Sequence, residues 1–158
     1  MLRQEIEKNF QEAVKEKKER EVSTLRMLKA AILERERKKR YKLTQEGKEK
    51  EVILSDEEVI QIVMSEIKKR RESLALFRKG KRDDLISQTE KEIEILERYL
   101  PEQASPEEIR TLAREIIRKT GAKEMKDMGQ VMSQLMGRLK GKAEGKLVSE
   151  IVKELLSG

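Results

Sequence analysis

The sequence predicts an all-α protein, with an N-terminal helical hairpin or bundle unit over residues 1–99 and a small C-terminal three-helix bundle over residues 100–158. Three observations carry that reading. Apolar residues recur three and four positions apart, the spacing that gathers them on one face of an α-helix. Helix-start signatures stand ahead of two of those stripes, at Ser55 and Ser105. Charged residues make up 43% of the chain and aromatic residues only 3%, a balance that suits thin helical layers with much surface for each core residue.

Taken in order, Leu2, Ile6, Phe10, Ala13 and Val14 form the first stripe and predict a helix near 2–18. Val22, Leu25, Leu28 and Ile32 form a second, near 20–40, and Lys17-Lys18-Glu19-Arg20 is the weak break between them. From Leu43 to Leu54 no helical stripe is visible and a Gly intervenes, so this stretch reads as a loop or short hairpin, with Leu43 to Ile53 the most mobile internal segment. Ser55 followed by Glu58 is a capping box that opens a long helix near 56–79, with the stripe Val59, Val63, Ile67, Leu74 and Phe77 and a close at Gly80. Leu85, Ile86, Ile93, Leu96 and Leu100 mark a fourth helix, which stops at Pro101.

Pro101 and Pro106 are the only prolines, and both serve the junction from Leu100 to Ser105, which places the domain boundary there. Ser105, Pro106 and Glu108 combine a cap, a proline in the first helical position and an acid at the third. The three stripes that follow predict helices near 106–120, 127–139 and 145–156. Met125, Met128, Met132 and Met136 read as core filling, with Gly129 and Gly137 letting helices approach closely.

Composition removes several chemistries. The chain has no Cys, so disulfides, thiolate zinc sites and cysteine nucleophiles are excluded. It has no His, the usual general base near neutral pH and the commonest metal ligand. No phosphate-binding Gly motif, nucleophile elbow or amidase-type Ser-Ser-Lys pattern appears, so the expectation is a protein that is not catalytic alone and needs no cofactor or metal. The charged N-terminus and the lack of any apolar run near 20 residues lead to the expectation of a cytoplasmic protein without a membrane span. The net charge of +6 favours encounter with polyanions.

The candidate site is Lys140-Gly141-Lys142-Ala143-Glu144-Gly145-Lys146, between two helices. Gly141 and Gly145 permit left-handed backbone and close approach of a phosphate. The next helix offers free N–H groups and a positive dipole end, and Lys140, Lys142 and Lys146 supply mobile charge. An ordinary solvated Gly-rich turn would read the same way. Two further basic runs, Arg35 to Lys42 and Lys68 to Arg71, could follow a phosphate backbone, diluted by Glu34, Glu36, Glu66 and Glu72. Tyr41 and Tyr99 are the only tyrosines, which argues against a stacking platform.

Three stretches, Tyr99 to Glu108, Lys126 to Met132 and Leu139 to Val148, resemble the YqeY-like family, most specifically in Tyr99-Leu100-Pro101-Glu102-Gln103 and Lys140-Gly141-Lys142-Ala143. That family's C-terminal module is similar to the tail of the B subunit of glutamine-dependent aminoacyl-tRNA amidotransferases. The resemblance covers nearly the whole chain, and roughly Leu100 to Leu156 for the amidotransferase tail. It implies a tRNA-binding kind of module, with tRNA and amidotransferase subunits as partners. It also implies an association with carbon–nitrogen ligase activity using glutamine as amido donor, whose chemistry in the larger enzyme lies in domains and subunits other than the tail. Relative to the family, residues 41–54 look like an insertion.

Overall fold

Seven helices account for most of the computed structural model, which describes residues 1–48 and 51–157. They are α1 (Leu2–Lys15), α2 (Glu19–Gln45), α3 (Asp56–Lys79), α4 (Asp83–Glu97), α5 (Pro106–Thr120), α6 (Met128–Arg138) and α7 (Gly145–Ser157), with a single 3-10 turn at Met125–Asp127. The fold is all-α, and no strand occurs among the described residues. The chain falls into two units, Met1–Leu100 and Pro101–Gly158. Leu100, expected with the second unit, packs on the core of the first.

In the first unit, Leu25 and Leu28 of α2, Val63 and Ile67 of α3, and Leu96 of α4 meet Ile6 of α1 in one apolar cluster. The capping box at Ser55 forms: its Oγ accepts from the Glu58 N–H at 3.2 Å, and Glu58 Oε2 accepts from the Ser55 N–H at 2.8 Å. Lys39 holds the same carboxylate at 2.8 and 3.0 Å. Together these contacts keep the Glu58 carboxyl below the ordinary carboxylate range, the Lys39 bond first. Asn9 of α1 donates its side-chain amide to the Tyr99 hydroxyl at 2.9 Å, tying the start of the unit to its end.

This core also contains charge. Arg70 is 7% exposed. Its Nη1 donates to Glu66 Oε2 at 2.9 Å, its Nε lies 3.4 Å from Glu92 Oε2, and its Nη2 meets Met27 Sδ at 3.6 Å. The Nε is buried without a hydrogen-bond partner. Glu36, 5% exposed, is held by Arg3. Thr24 and Thr89, also buried, donate their hydroxyls to the carbonyls of Arg20 and Leu85 one turn earlier, which satisfies them without an outside partner.

Three expectations change here. The α1–α2 break falls at Glu16–Lys18, and Lys17 itself takes the left-handed conformation at φ 55°. Likewise α3 ends before Gly80 in a right-handed conformation (φ −81°), while the left-handed residue is Lys81 at φ 53°. The stretch from Leu43 is not one loose connection. α2 runs on to Gln45, Gly47 reverses the chain at φ 70°, and Val52 and Leu54 are buried, Leu54 in the core itself. The extra turn lacks a stripe because of its residues only Leu43 is even half-buried. Glu49 and Lys50 lie outside the described residues.

The second unit wraps α5, α6 and α7 around Ile109, Ala113, Ile116, Leu135, Ile151 and Val152. Its capping box repeats that of α3: Ser105 Oγ accepts from the Glu108 N–H at 3.1 Å and Glu108 Oε2 accepts from the Ser105 N–H at 2.8 Å. Gly121 closes α5 at φ 71°, a conformation glycine takes without penalty. Asp127 Oδ2 then accepts from the N–H groups of Lys123 and Glu124 at 3.0 and 3.1 Å, and the Lys123 bond leads in lowering its carboxyl below the ordinary value. Met128, Met132 and Met136 do line the core, but Met125 is 46% exposed. Gly129 and Gly137 do not mediate close helix approach: a Cβ at either would meet nothing within 4 Å.

Candidate functional site

The connection between α6 and α7 is short, and its shape is fixed by two buried side chains, Leu139 and Ala143, each 5% exposed or less. Between them the backbone must reverse. Gly141 does this at φ 76°, where a Cβ would be strained. The Lys142 N–H donates back to the Leu139 carbonyl at 2.8 Å and closes the turn.

The turn is then pinned from outside. The Gln103 side-chain amide donates to the Gly141 carbonyl and to the Pro101 carbonyl, both at 2.9 Å. One residue on, the Ala104 N–H donates to the Lys142 carbonyl at 2.8 Å. The extended segment before α5 therefore runs along the turn before α7. Backbone groups of Gly141 and Lys142 that a solvated loop would leave to water are held in one arrangement, with the lysine side chains pointing away from the core.

Lys140, Lys142 and Lys146 are all exposed, and Gly141 is buried. The two glycines have different roles. Gly145 is the first residue of α7 and is not left-handed, and a Cβ there would reach only Met136 Cε at 4.0 Å. Its conformational freedom is not used, so of the two glycines only Gly141 shapes the turn. The structure thus brings three exposed lysines onto a fixed turn that leads into a helix N-terminus. That arrangement can neutralise phosphate or carboxylate charge.

Beside Lys142 a shallow groove runs along α5. It is lined by Leu112 and Leu139 and by Glu107, Glu108, Glu115 and Arg138. Glu115 is held by Lys119 at 2.9 Å, the main reason its carboxyl lies below the ordinary value. Lys142 itself lines this groove with Arg138, so the wall carries charge of both signs.

The basic run on α3 is largely drawn into ion pairs, although Lys68, Lys69 and Arg71 stay exposed. Arg70 is turned inward to Glu66 and Glu92, Lys69 lies 3.2 Å from Glu66, and Arg71 donates to Glu97 at 3.0 Å. Sequence spacing could not show this, because the carboxylates of Glu92 and Glu97 arrive from α4. Gln103 and Ala104 are the site residues that residue chemistry alone passed over. The signal was the position of Gln103 in one of the two stretches most specific to the family resemblance, with Ala104 next to it; the Gln103 side chain hydrogen-bonds one of those stretches to the other.

A family model described as Yqey-like protein matches residues 3–156, essentially the whole chain. An uncharacterized protein of Schizosaccharomyces pombe is 36% identical over 59 residues, which is 37% of this chain and 48% of that protein. The match therefore spans about half the length of that relative.

Proposed function

Because the chain belongs to the YqeY-like family, we propose that it is a stand-alone helical module that holds tRNA by its phosphate backbone and is not catalytic by itself. The observation that carries this reading is the turn from Lys140 to Lys146: three exposed lysines on a backbone fixed by Gln103 and Ala104. A fixed backbone places the lysine Cα atoms without further ordering cost, while the flexible side chains adapt to phosphates. Each lysine that binds a phosphate releases condensed counterions, so affinity falls steeply with salt. The sequence supplies neither His nor Cys for glutamine hydrolysis.

The test is binding of bulk tRNA and of duplex DNA at several salt concentrations, for the wild type and for Lys140→Ala, Lys142→Ala, Lys146→Ala combined. Losing three phosphate contacts should flatten the log–log salt slope for tRNA by about 2 to 3, at about 0.7 to 0.9 per contact. Melting should hardly change, since exposed side chains away from packing contribute little. Unchanged affinity and slope in a folded variant would leave the turn as an ordinary connection.

One observation favours a protein-docking reading instead: the groove beside Lys142, with Leu112 and Leu139 between carboxylates, suits a basic helix or peptide. That reading gives a specific protein partner and weak salt dependence. An accessory role in a glutamine-using carbon–nitrogen ligase gives co-purification with amidotransferase subunits. Glutamine turnover by the purified chain, abolished by one carboxylate substitution, would overturn the non-catalytic part of the proposal.

A further inference from the structure

The basic run at the end of α2 has the opposite fate to the run on α3. Arg35, Arg37, Lys38, Arg40 and Lys42 are all exposed over the last three turns of that helix. In the sequence Glu36 dilutes them. In the fold it does not, because Glu36 is 5% exposed and is consumed by Arg3 at 2.6 and 3.0 Å. Glu34 reaches Arg37 and Lys38 only at 3.8 and 3.6 Å. Of the run, Lys39 alone has a close carboxylate, that of Glu58. Arg35, Arg40 and Lys42 meet none among the described residues.

The spacing matters as much as the count. Arg35 and Lys38, Arg37 and Arg40, and Lys38 and Lys42 stand three or four residues apart, where like charges on a helix repel. Elsewhere in the molecule that spacing pairs opposite charges, as in Glu66–Arg70, Glu107–Arg110 and Glu115–Lys119. Among the described residues this helix end therefore holds more positive charge than the carboxylates within reach of it, those of Glu34 and Glu58, offset, and a counter-charge from outside relieves it. The carbonyl end of α2 accommodates cations but does not discharge their mutual repulsion.

We infer that the exposed face of α2 from Arg35 to Lys42 is a second binding surface, on the first unit, for the phosphodiester backbone of a structured RNA. A rigid helix presenting cations at each turn suits a regular, densely charged polymer, whose duplex carries one charge per about 1.7 Å of axis. A membrane surface fits less well. The exposed large apolar side chains of the stretch are Leu33 and Tyr41, at 54% and 67%, too few to form the apolar face that an interfacial helix buries. The Tyr41 ring, four residues from Arg37, offers one stacking face beside the cations. The phosphate contact stands on its own; the choice of RNA over DNA rests on the tRNA reading above.

The experiment uses the full chain in five forms: wild type, the combined change Arg35→Gln, Lys38→Gln, Arg40→Gln, Lys42→Gln, the charge-matched control Lys68→Gln, Lys69→Gln, Arg71→Gln, Arg78→Gln, and the Lys140–Lys146 triple variant with and without the α2 changes. Binding of bulk tRNA, a duplex DNA and phosphatidylglycerol vesicles is followed between 50 and 300 mM salt. The α2 variant should lose about tenfold or more in tRNA affinity, and its salt slope should flatten by about 3, in both backgrounds. The control should change by less than about threefold, since its arginines and Lys69 are already paired.

Equal losses in the two four-charge variants would reduce the effect to net charge and overturn the inference. So would binding of vesicles in preference to tRNA, equal binding of duplex DNA, or no effect of the α2 changes. An α2 effect with no loop effect would sustain this surface and sink the loop proposal; a loop effect alone would do the reverse. Should the quadruple variant lose helicity, Arg35→Gln with Lys42→Gln is read against half the slope change.

Discussion

The two units solve the problem of a core in different ways. The first buries Glu36, Glu66, Arg70, Thr24 and Thr89 among its aliphatic residues. In the second, every buried side chain among the described residues is apolar. Long helices with narrow apolar stripes leave polar positions at the edge of the interface, and in the first unit these find partners either within their own helix, as Thr24, Thr89 and the Glu66–Arg70 pair do, or from another helix, as Arg3 does for Glu36. The short helices of the second unit have broader apolar faces and need no such partners. A buried ion pair is weak evidence for stability, because desolvation offsets the attraction. The comparison therefore teaches that the first unit is the one sensitive to losing a single charge, and the second the one sensitive to losing volume.

The comparison can be broken most directly at Arg70. Arg70→Ala leaves Glu92 without its cation and Glu66 with only the exposed Lys69, and should cost about 3–5 kcal/mol. All four Phe and Tyr residues lie within the first 99 residues, so tyrosine fluorescence in urea follows the first unit alone. The combined change Glu66→Leu, Arg70→Met, Glu92→Leu should recover most of that loss. A cost under about 1 kcal/mol for Arg70→Ala would mean that water already reaches the cluster, and the contrast between the cores would collapse.

The second unit is probed at Leu135, which is fully buried. Leu135→Ala should cost about 3 kcal/mol, within the range for such cavities, and by the same amount at low and high salt. Helicity by circular dichroism reports it, while the tyrosine transition should stay where it is. A tyrosine transition that moves with it would show that the units do not unfold independently.

The smallest expected effect sharpens the electrostatic side. Glu58 has a folded-state pKa below its ordinary value, chiefly through Lys39 and the Ser55 N–H. A lowered carboxylate stabilises the fold above its unfolded pKa, and that contribution is lost as pH falls from the ordinary carboxylate value through the folded one. Glu58→Gln should therefore flatten the acid limb of tyrosine-monitored stability below about pH 4.5 and leave it unchanged near neutrality in slope. An acid limb identical to wild type would show that the pair with Lys39 contributes nothing.

Much of this was legible in the sequence, because it depends on neighbours within a turn. The capping boxes at Ser55 and Ser105, the stripes and the stop at Gly121 are all of that kind. The turn at Lys17 was not, since a lysine in left-handed backbone carries no signal where a glycine would. The extension of α2 to Gln45 was hidden for the same local reason: its packed side is one half-buried leucine. At the candidate site, the exposed lysines and the pivot at Gly141 could be read, but Gly145 could not be told apart from Gly141. The pinning by Gln103 spans 38 residues, and the inward turn of Arg70 depends on α4, so neither has a sequence period to announce it.

The bond between Asn9 and Tyr99 also sets a clock. Its partners are 90 residues apart, so α1 cannot complete its packing until almost the whole first unit has been made. At a synthesis rate of about 5–20 residues per second, Asn9 exists for about 5 to 20 s before its partner does. During that interval the α1–α2 hairpin can form by itself, with Ile6 and Leu28 waiting for α3 and α4. The second unit, whose three helices all lie within 58 residues, has no such wait.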